Sequence, residues 1–177
     1  MASGLRPRAC LGLTPSDNDH MEPSPGQPRN IGRAVLLAIL CTVVGSLGSA
    51  ATMPEIKGWY AGLAKPWFNP PNWAFGPMWS TLYILMALTA SAAWDNRAVR
   101  RTFFIILLVN ALWSLLFFGL HQPGLALIDI LAYLTLLVLW IQQLWPQHRG
   151  YALLQLPHLL WVSFATVLNA SIWWLNQ

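Results

Sequence analysis

The sequence predicts an all-α integral membrane protein, a five-transmembrane-helix bundle with a Pro/Trp-rich loop between helices 1 and 2. Three observations predict it. Of the 177 residues, 56% are hydrophobic and only 9% are charged, whereas a soluble domain carries about a quarter charged residues. Apolar segments near the roughly 20 residues needed to cross about 30 Å of hydrocarbon recur along the chain. Each of them ends at a group of turn-forming or charged residues, and in lipid a helix is the economical way to satisfy every backbone N–H and C=O.

The elements follow in order. Residues 1–30 are polar and broken by Pro7, Pro15, Pro23, Pro25 and Pro28, the composition of a disordered tail. No apolar stretch of signal-peptide length occurs there, so no cleaved leader is expected. Met21 is a candidate start, because everything before it reads as dispensable. A transmembrane domain, 31–177, comes next, with spans at about 33–53, 76–95, 102–120, 124–145 and 151–175. Pro54-Glu55 is expected to stop the first, and Asp95-Asn96-Arg97 the second. His121-Gln122-Pro123-Gly124 turns the chain after the third, and Pro146-Gln147-His148-Arg149-Gly150 ends the fourth. In the first span Ala38, Thr42, Ser46 and Ala50 recur beside Gly45 and Ser49. Small residues at that spacing let helix backbones approach in lipid. Their partner is a helix of the same chain, with a homodimer seam as the alternative.

Charge orients the bundle. Arg6, Arg8, Arg29, Arg33, Arg97, Arg100, Arg101 and Arg149 fall on one side, which leaves Lys57 and Lys65 on the other. The positive-inside rule then sets the N-terminus in the cytoplasm and the Pro/Trp linker outside. A bacterial cell membrane is the expected setting, with the mitochondrial outer membrane as the alternative. The net charge of +4 is too small and too scattered for a nucleic-acid face. Cys10 and Cys41 form neither a disulfide framework nor a metal pair, and His20, His121 and His148 are not spaced as a metal site.

The linker is the most informative stretch. Pro66, Pro70, Pro71 and Pro77 fix φ and remove donors, holding one folded course together with Asn69 and Gly76. Trp79 and Tyr83 are four apart and share a helix face, as do Trp113 with Phe117 and Trp161 with Ala165. A small Ala165 one turn from a large ring leaves room for a flat ligand. Aromatic pairs at this spacing also serve as core or interfacial belt, and spacing alone does not separate these uses. Trp140, Trp145, Trp173 and Trp174 sit near span ends and read as belt.

Polar residues within spans demand partners. Asp129 is the acid within a span, and Asn110, Ser114 and Tyr133 are its candidate partners. Asn110 and Asn169 read as interhelical hydrogen bonders. His158 follows Pro157, which is expected to bend the last span. An imidazole can ligate haem iron, and a polar slot among aromatic groups is the other use for it.

The run Lys65-Pro66, Asn69-Pro70-Pro71-x-Trp73-x-Phe75-Gly76-Pro77-x-Trp79-x-x-Leu82-Tyr83 resembles the translocator protein, or tryptophan-rich sensory protein, family. The likeness continues through Asn110-x-x-Trp113-Ser114, Phe117-Phe118 and Asp129. It closes with Pro157-x-x-Leu160-Trp161 and Phe164-Ala165-Thr166-x-Leu168-Asn169, covering about 33–177. The resemblance implies a five-helix bundle with a ligand pocket under the first loop, often as a dimer, that binds porphyrins or haem. Trp79 and Trp161 would then form pocket walls with Tyr83, Asn110, Trp113, Ser114, Phe117 and Ala165, and Trp59, Tyr60 and Trp73 would form a lid. No obligatory cofactor is expected; porphyrin or haem enters as a ligand, for sequestration, movement or sensing.

Alternatives remain. The family likeness also admits light-dependent or oxidative porphyrin degradation, with Trp79 and Trp161 as electron donors, although no nucleophile–base or acid pair is visible. The family commonly has tyrosine where this chain has His158. Its animal members carry a sterol motif that needs a tyrosine and a basic residue, and the matching positions here are Ala170 and Trp174. That argues against specific cholesterol binding. A channel-like transporter lacks the support of an inverted repeat.

Overall fold

The computed structural model describes residues 27–177, with side chains from residue 31. The expected tail up to residue 26, Met21 included, lies outside the described residues. Within them every regular element is helical. α1 spans Gln27–Lys57, α2 is one turn at Trp59–Gly62, and a 3₁₀ turn at Asn72–Ala74 leads into α3, Phe75–Ala92. α4 spans Arg97–Ser114 and runs on as a π-helical turn over Leu115–Gly119. α5 spans Pro123–Leu144, followed by α6, Arg149–Leu154, and α7, Leu156–Leu175.

Four stretches are long and apolar enough to cross a membrane: Ile31–Lys57, Arg97–Gly119, Pro123–Leu144 and Arg149–Leu175. α3 is the exception, because Gly76, Pro77, Ser80, Thr81 and Tyr83 dilute the apolar character of its 18 residues. The membrane character is equally plain from the outside. α1 exposes Leu36, Ile39, Val43 and Leu47, a face with no protein cover that suits hydrocarbon and not water.

Local chemistry sets the element ends. Asn96 caps α4 by accepting from the N–H groups of Ala98 and Val99 at 3.0 and 3.3 Å. Pro123 opens α5 at a position where its missing N–H costs nothing. The last rod breaks at Gln155, two residues before Pro157, as that proline leads one to expect. Pro54 does not stop the first helix: α1 runs through it to Lys57. A proline this near a C-terminus forfeits one intrahelical bond and leaves little helix after it to disrupt.

α1 packs on α3 and α4, α4 on α5, and α5 on α7. Of the small residues expected to pack in α1, Gly45 packs within the chain, as does Gly48 beside them, while Thr42, Ser46, Ser49 and Ala50 are exposed. A Cβ at Gly45 would overlap the Tyr83 ring, and one at Gly48 would meet Ser114 Oγ at 2.9 Å. Glycine is required there because no side chain fits between the helices. Toward the far end of the bundle from the linker, Leu37, Cys41, Met86, Phe103, Ile106 and Leu137 close a continuous core. Trp140 belongs to that core and not to a belt. It is fully buried, donates Nε1–H to the Val99 carbonyl at 3.0 Å and lies 6.1 Å from the Phe103 ring. Trp145, Trp173 and Trp174 are exposed, as belt residues would be.

Candidate functional site: an aromatic cavity

Above that core the helices part around a cavity of about 480 Å³. α1 brings Thr42, Gly45, Ser46, Ser49, Thr52 and Met53 to it; α3 brings Phe75, Gly76, Trp79, Ser80 and Tyr83. α4 and its π turn supply Asn110, Trp113, Ser114, Phe117 and Phe118, and α7 supplies Ala165, Leu168, Asn169 and Ile172. Tyr60, Asn72 and Trp73, between α1 and α3, complete the wall. A volume within the roughly 300–1,000 Å³ of small-molecule sites, with aromatic walls and hydroxyl and amide groups set among them, suits a ligand pocket.

Ring packing fixes the wall. Trp79 and Tyr83 lie with centroids 5.7 Å apart, and Trp113 stacks on Phe117 at 5.2 Å. The π turn shifts the helical register so that Phe117 and Phe118 both turn inward, 4.8 Å apart. Polar bonds hold these rings in place. Tyr83 donates its O–H to Asn110 Oδ1 at 2.6 Å. Trp113 donates Nε1–H to Asn169 Oδ1 at 2.9 Å, and Asn169 donates to the Pro123 carbonyl at 2.8 Å. Asn110 and Asn169 are thus interhelical hydrogen bonders that also face the cavity.

The segment after α1 is tied at several points. Trp59 stacks on the His121 ring at 4.3 Å, and His121 Nε2 meets Glu55 at 3.0 Å. His121 itself has φ 54°, the left-handed turn that lets α4 hand over to α5. Asn176, at the end of α7, accepts from the Ala64 N–H and donates to its carbonyl, both at 2.9 Å. Tyr60 donates to Asn69 Oδ1 at 2.9 Å, and the Lys65 ammonium lies 4.7 Å from the Tyr60 ring centre. Burial raises the Tyr60 phenol above its ordinary pKa, the Asn69 bond offsetting part of that rise.

The placements differ from expectation at three residues, Trp161, Trp59 and Asp129, and agree with the polar-slot use of a fourth, His158. Trp161 is not on the cavity wall. It lies behind Phe75, 5.7 Å ring to ring, with its buried indole N–H unpartnered. Trp59 also stands off the wall, against His121 and Phe117. Asp129 is buried, but none of its expected partners takes its Oδ2. Asn110 and Tyr133 are committed elsewhere, to Tyr83 and His158. His158 is fully buried outside the cavity with both ring nitrogens engaged, at 2.7 Å by Tyr133 Oη and at 3.3 Å by Gln155 Oε1. It fills the polar slot and leaves no nitrogen for a metal.

Some wall residues carried no sequence signal of their own. Met53, Ile56 and Ile172 line the cavity, yet in lipid an apolar residue is equally at home facing outward. Gln155, fully buried, was also missed. Its place directly before the Leu156-Pro157 break is the one feature that marks it.

Comparison with known proteins shows the family. The family model described as the TspO/MBR family matches residues 37–175. The chain belongs to the TspO/MBR family. Its relatives include the tryptophan-rich protein TspO of Archaeoglobus fulgidus, 43% identical over 148 residues, 81% of this chain and 95% of that protein. The counterpart of Chlorobaculum tepidum is 37% identical over 77% of this chain and 91% of its own. Human translocator protein is 34% identical over 72% of this chain and 80% of its own. This TspO/MBR chain is therefore a membrane protein, with bacterial, archaeal and animal relatives.

Proposed function

We propose that this protein crosses the membrane five times and binds a planar hydrophobic tetrapyrrole, a porphyrin or haem, in the aromatic cavity. The observation that carries this is the cavity itself: about 480 Å³ walled by Trp73, Trp79, Tyr83, Trp113 and Phe117. Ring faces offer a flat ligand dispersion and desolvation together, the latter at about 25 cal/mol per Å² of apolar surface removed from water. No histidine is among the lining residues, so recognition falls to the macrocycle and not to an axial imidazole. Sequestration, movement or sensing of the tetrapyrrole is the role that fits a site without a nucleophile–base pair.

α3 would be the fifth span. Gly76, Ser80 and Tyr83 of its outer half line the cavity, which accounts for part of its weak hydropathy, while Pro77 and Thr81 are exposed. The tied segment from Trp59 to Ala74 would roof the site on the outer side. Basic residues support the orientation: Arg33 and Arg100 both lie over Trp94, at 5.5 and 5.4 Å, at the end of the bundle away from that segment. The cytoplasmic side of a bacterial cell membrane would hold that end.

The test is a titration of purified protein with protoporphyrin IX, haem and a sterol, side by side. Saturable quenching of tryptophan emission with a Soret shift is expected for the tetrapyrroles, and no saturation for the sterol. Absence of saturable tetrapyrrole binding, with the protein folded, would overturn the reading.

A further inference from the structure

A buried polar chain lies directly behind the cavity wall and takes no part in lining it. Trp79 faces the cavity, and its ring is 6.5 Å from the Tyr133 ring and 6.2 Å from the His158 ring, centre to centre. Tyr133 and His158 are both buried, and their side chains meet at 2.7 Å. The protons in this chain can be assigned. Gln155 Nε2 lies 3.0 Å from the Leu85 carbonyl and 2.7 Å from Thr89 Oγ1. A carbonyl only accepts, so that atom is the amide nitrogen and Oε1 is the atom turned to His158. An amide oxygen accepts too, so His158 Nδ1 carries the hydrogen. Nε2 is then bare, and Tyr133 donates its O–H into it.

From this the geometry points to Tyr133 and His158 as a redox pair that returns an electron to an oxidised ligand in the cavity, with Trp79 as the intermediate. The inference rests on the cavity being the tetrapyrrole site. The oxidant is the π-cation of a bound macrocycle, formed when the light-excited ring gives one electron to a diffusible acceptor such as dioxygen, which leaves as superoxide. The π-cation takes one electron from the Trp79 ring, and Trp79 takes one from Tyr133. In that second step the Tyr133 O–H bond breaks and an N–H bond forms at His158 Nε2. The products are the restored neutral ligand, a neutral Tyr133 phenoxyl radical and a His158 imidazolium, so the single positive charge is conserved. The bare nitrogen matters because an oxidised phenol is a far stronger acid than imidazolium, so passing its proton to Nε2 as the electron leaves makes Tyr133 easier to oxidise. Gln155 and Thr89 are positioning residues: they hold the tautomer that leaves Nε2 free.

The experiment is flash photolysis of the purified full chain with zinc protoporphyrin IX and a cobalt(III) ammine as irreversible acceptor. Porphyrin-cation decay is followed optically and the protein radical by low-temperature EPR. Wild type should give a tyrosyl signal, with decay that slows in D₂O. Tyr133→Phe should lose that signal and lengthen the cation lifetime at least about tenfold, while the binding titration stays unchanged. His158→Gln keeps an acceptor but not a base, and should cut the tyrosyl yield by about tenfold or more. Equal lifetimes and tyrosyl yields in wild type and Tyr133→Phe, with porphyrin bound, would overturn the relay. Failure to bind would overturn the ligand reading alone. For that case a ruthenium polypyridyl photo-oxidant is tethered at Asn72→Cys in a Cys10→Ser background. It reads the same radical without any ligand and decides the relay by the same comparison.

Discussion

Replacing Gly45 with alanine tests whether α1 and α3 are held together by close approach of their backbones. The added methyl would overlap the Tyr83 ring, which is stiff and has no free rotamer to retreat into while its O–H holds Asn110 at 2.6 Å. Either α1 moves off α3 or Tyr83 swings and the bond breaks. Overpacking costs about 1–3 kcal/mol, and an interhelical bond in a membrane protein averages about 0.6 kcal/mol, so a loss of about 2–3 kcal/mol is expected. At about 2–4 °C per kcal/mol for a chain of this size, Tm in detergent should fall by about 4–12 °C. Tyr83 is also cavity wall, so porphyrin affinity should weaken by about tenfold, the equivalent of 1.4 kcal/mol. Gly32→Ala on the same helix is the control: a Cβ there meets nothing within 4 Å, and better helix propensity should leave Tm equal or higher. In the Gly45→Ala, Tyr83→Leu double variant the two penalties should not add, because the clash is removed. A Gly45→Ala protein with wild-type Tm and affinity would refute the reasoning.

Three further outcomes separate stability from binding. Asn169→Leu frees the Trp113 N–H and the Pro123 carbonyl; it should cost about 1–3 kcal/mol and also weaken ligand binding, read by thermal melts and titration together. Trp140→Phe removes a buried bond to Val99 far from the cavity, and about 2 kcal/mol of stability should be lost with affinity unchanged. Asn176→Ala unties Ala64 at an exposed site; stopped-flow displacement should show faster ligand release, while stability shifts by no more than about 1.5 kcal/mol.

The helical class and the membrane setting were legible because composition and span length do not depend on which way a helix faces. Facing itself was harder to read. A helix in lipid is apolar on its outer side as well as its inner one, so the periodicity that betrays a soluble core is faint. Aromatic pairs such as Trp79–Tyr83 and Trp113–Phe117 announced a shared face correctly, since four-residue spacing is local geometry. Trp161 has the same spacing to Ala165 and still stands behind Phe75, because the break at Gln155 sets how α7 is rotated and that is a tertiary outcome. Trp140 near a span end looked like belt and is core for a similar reason: its indole N–H found the Val99 carbonyl on a neighbouring helix.

Polar residues inside spans were the reverse case, easy to notice and hard to pair. Each must find a partner in hydrocarbon, but the sequence does not say which, and the choice decides chemistry. Tyr133 could have served Asp129, four residues earlier on its own helix. It instead bonds to His158, because the broken last rod carries an imidazole and Gln155 together against α3. That one exchange leaves Asp129 Oδ2 unpartnered and gives Tyr133 a base. The histidine at 158, where the family resemblance leads one to expect tyrosine, therefore sets the kind of chemistry available behind the wall. Two phenols side by side could share a hydrogen bond, but neither could take the other's proton at ordinary pH, since a phenol is a far weaker base than a neutral imidazole. The expected consequence is specific to this chain: His158→Tyr should fold and bind porphyrin as the wild type does, and lose the tyrosyl signal.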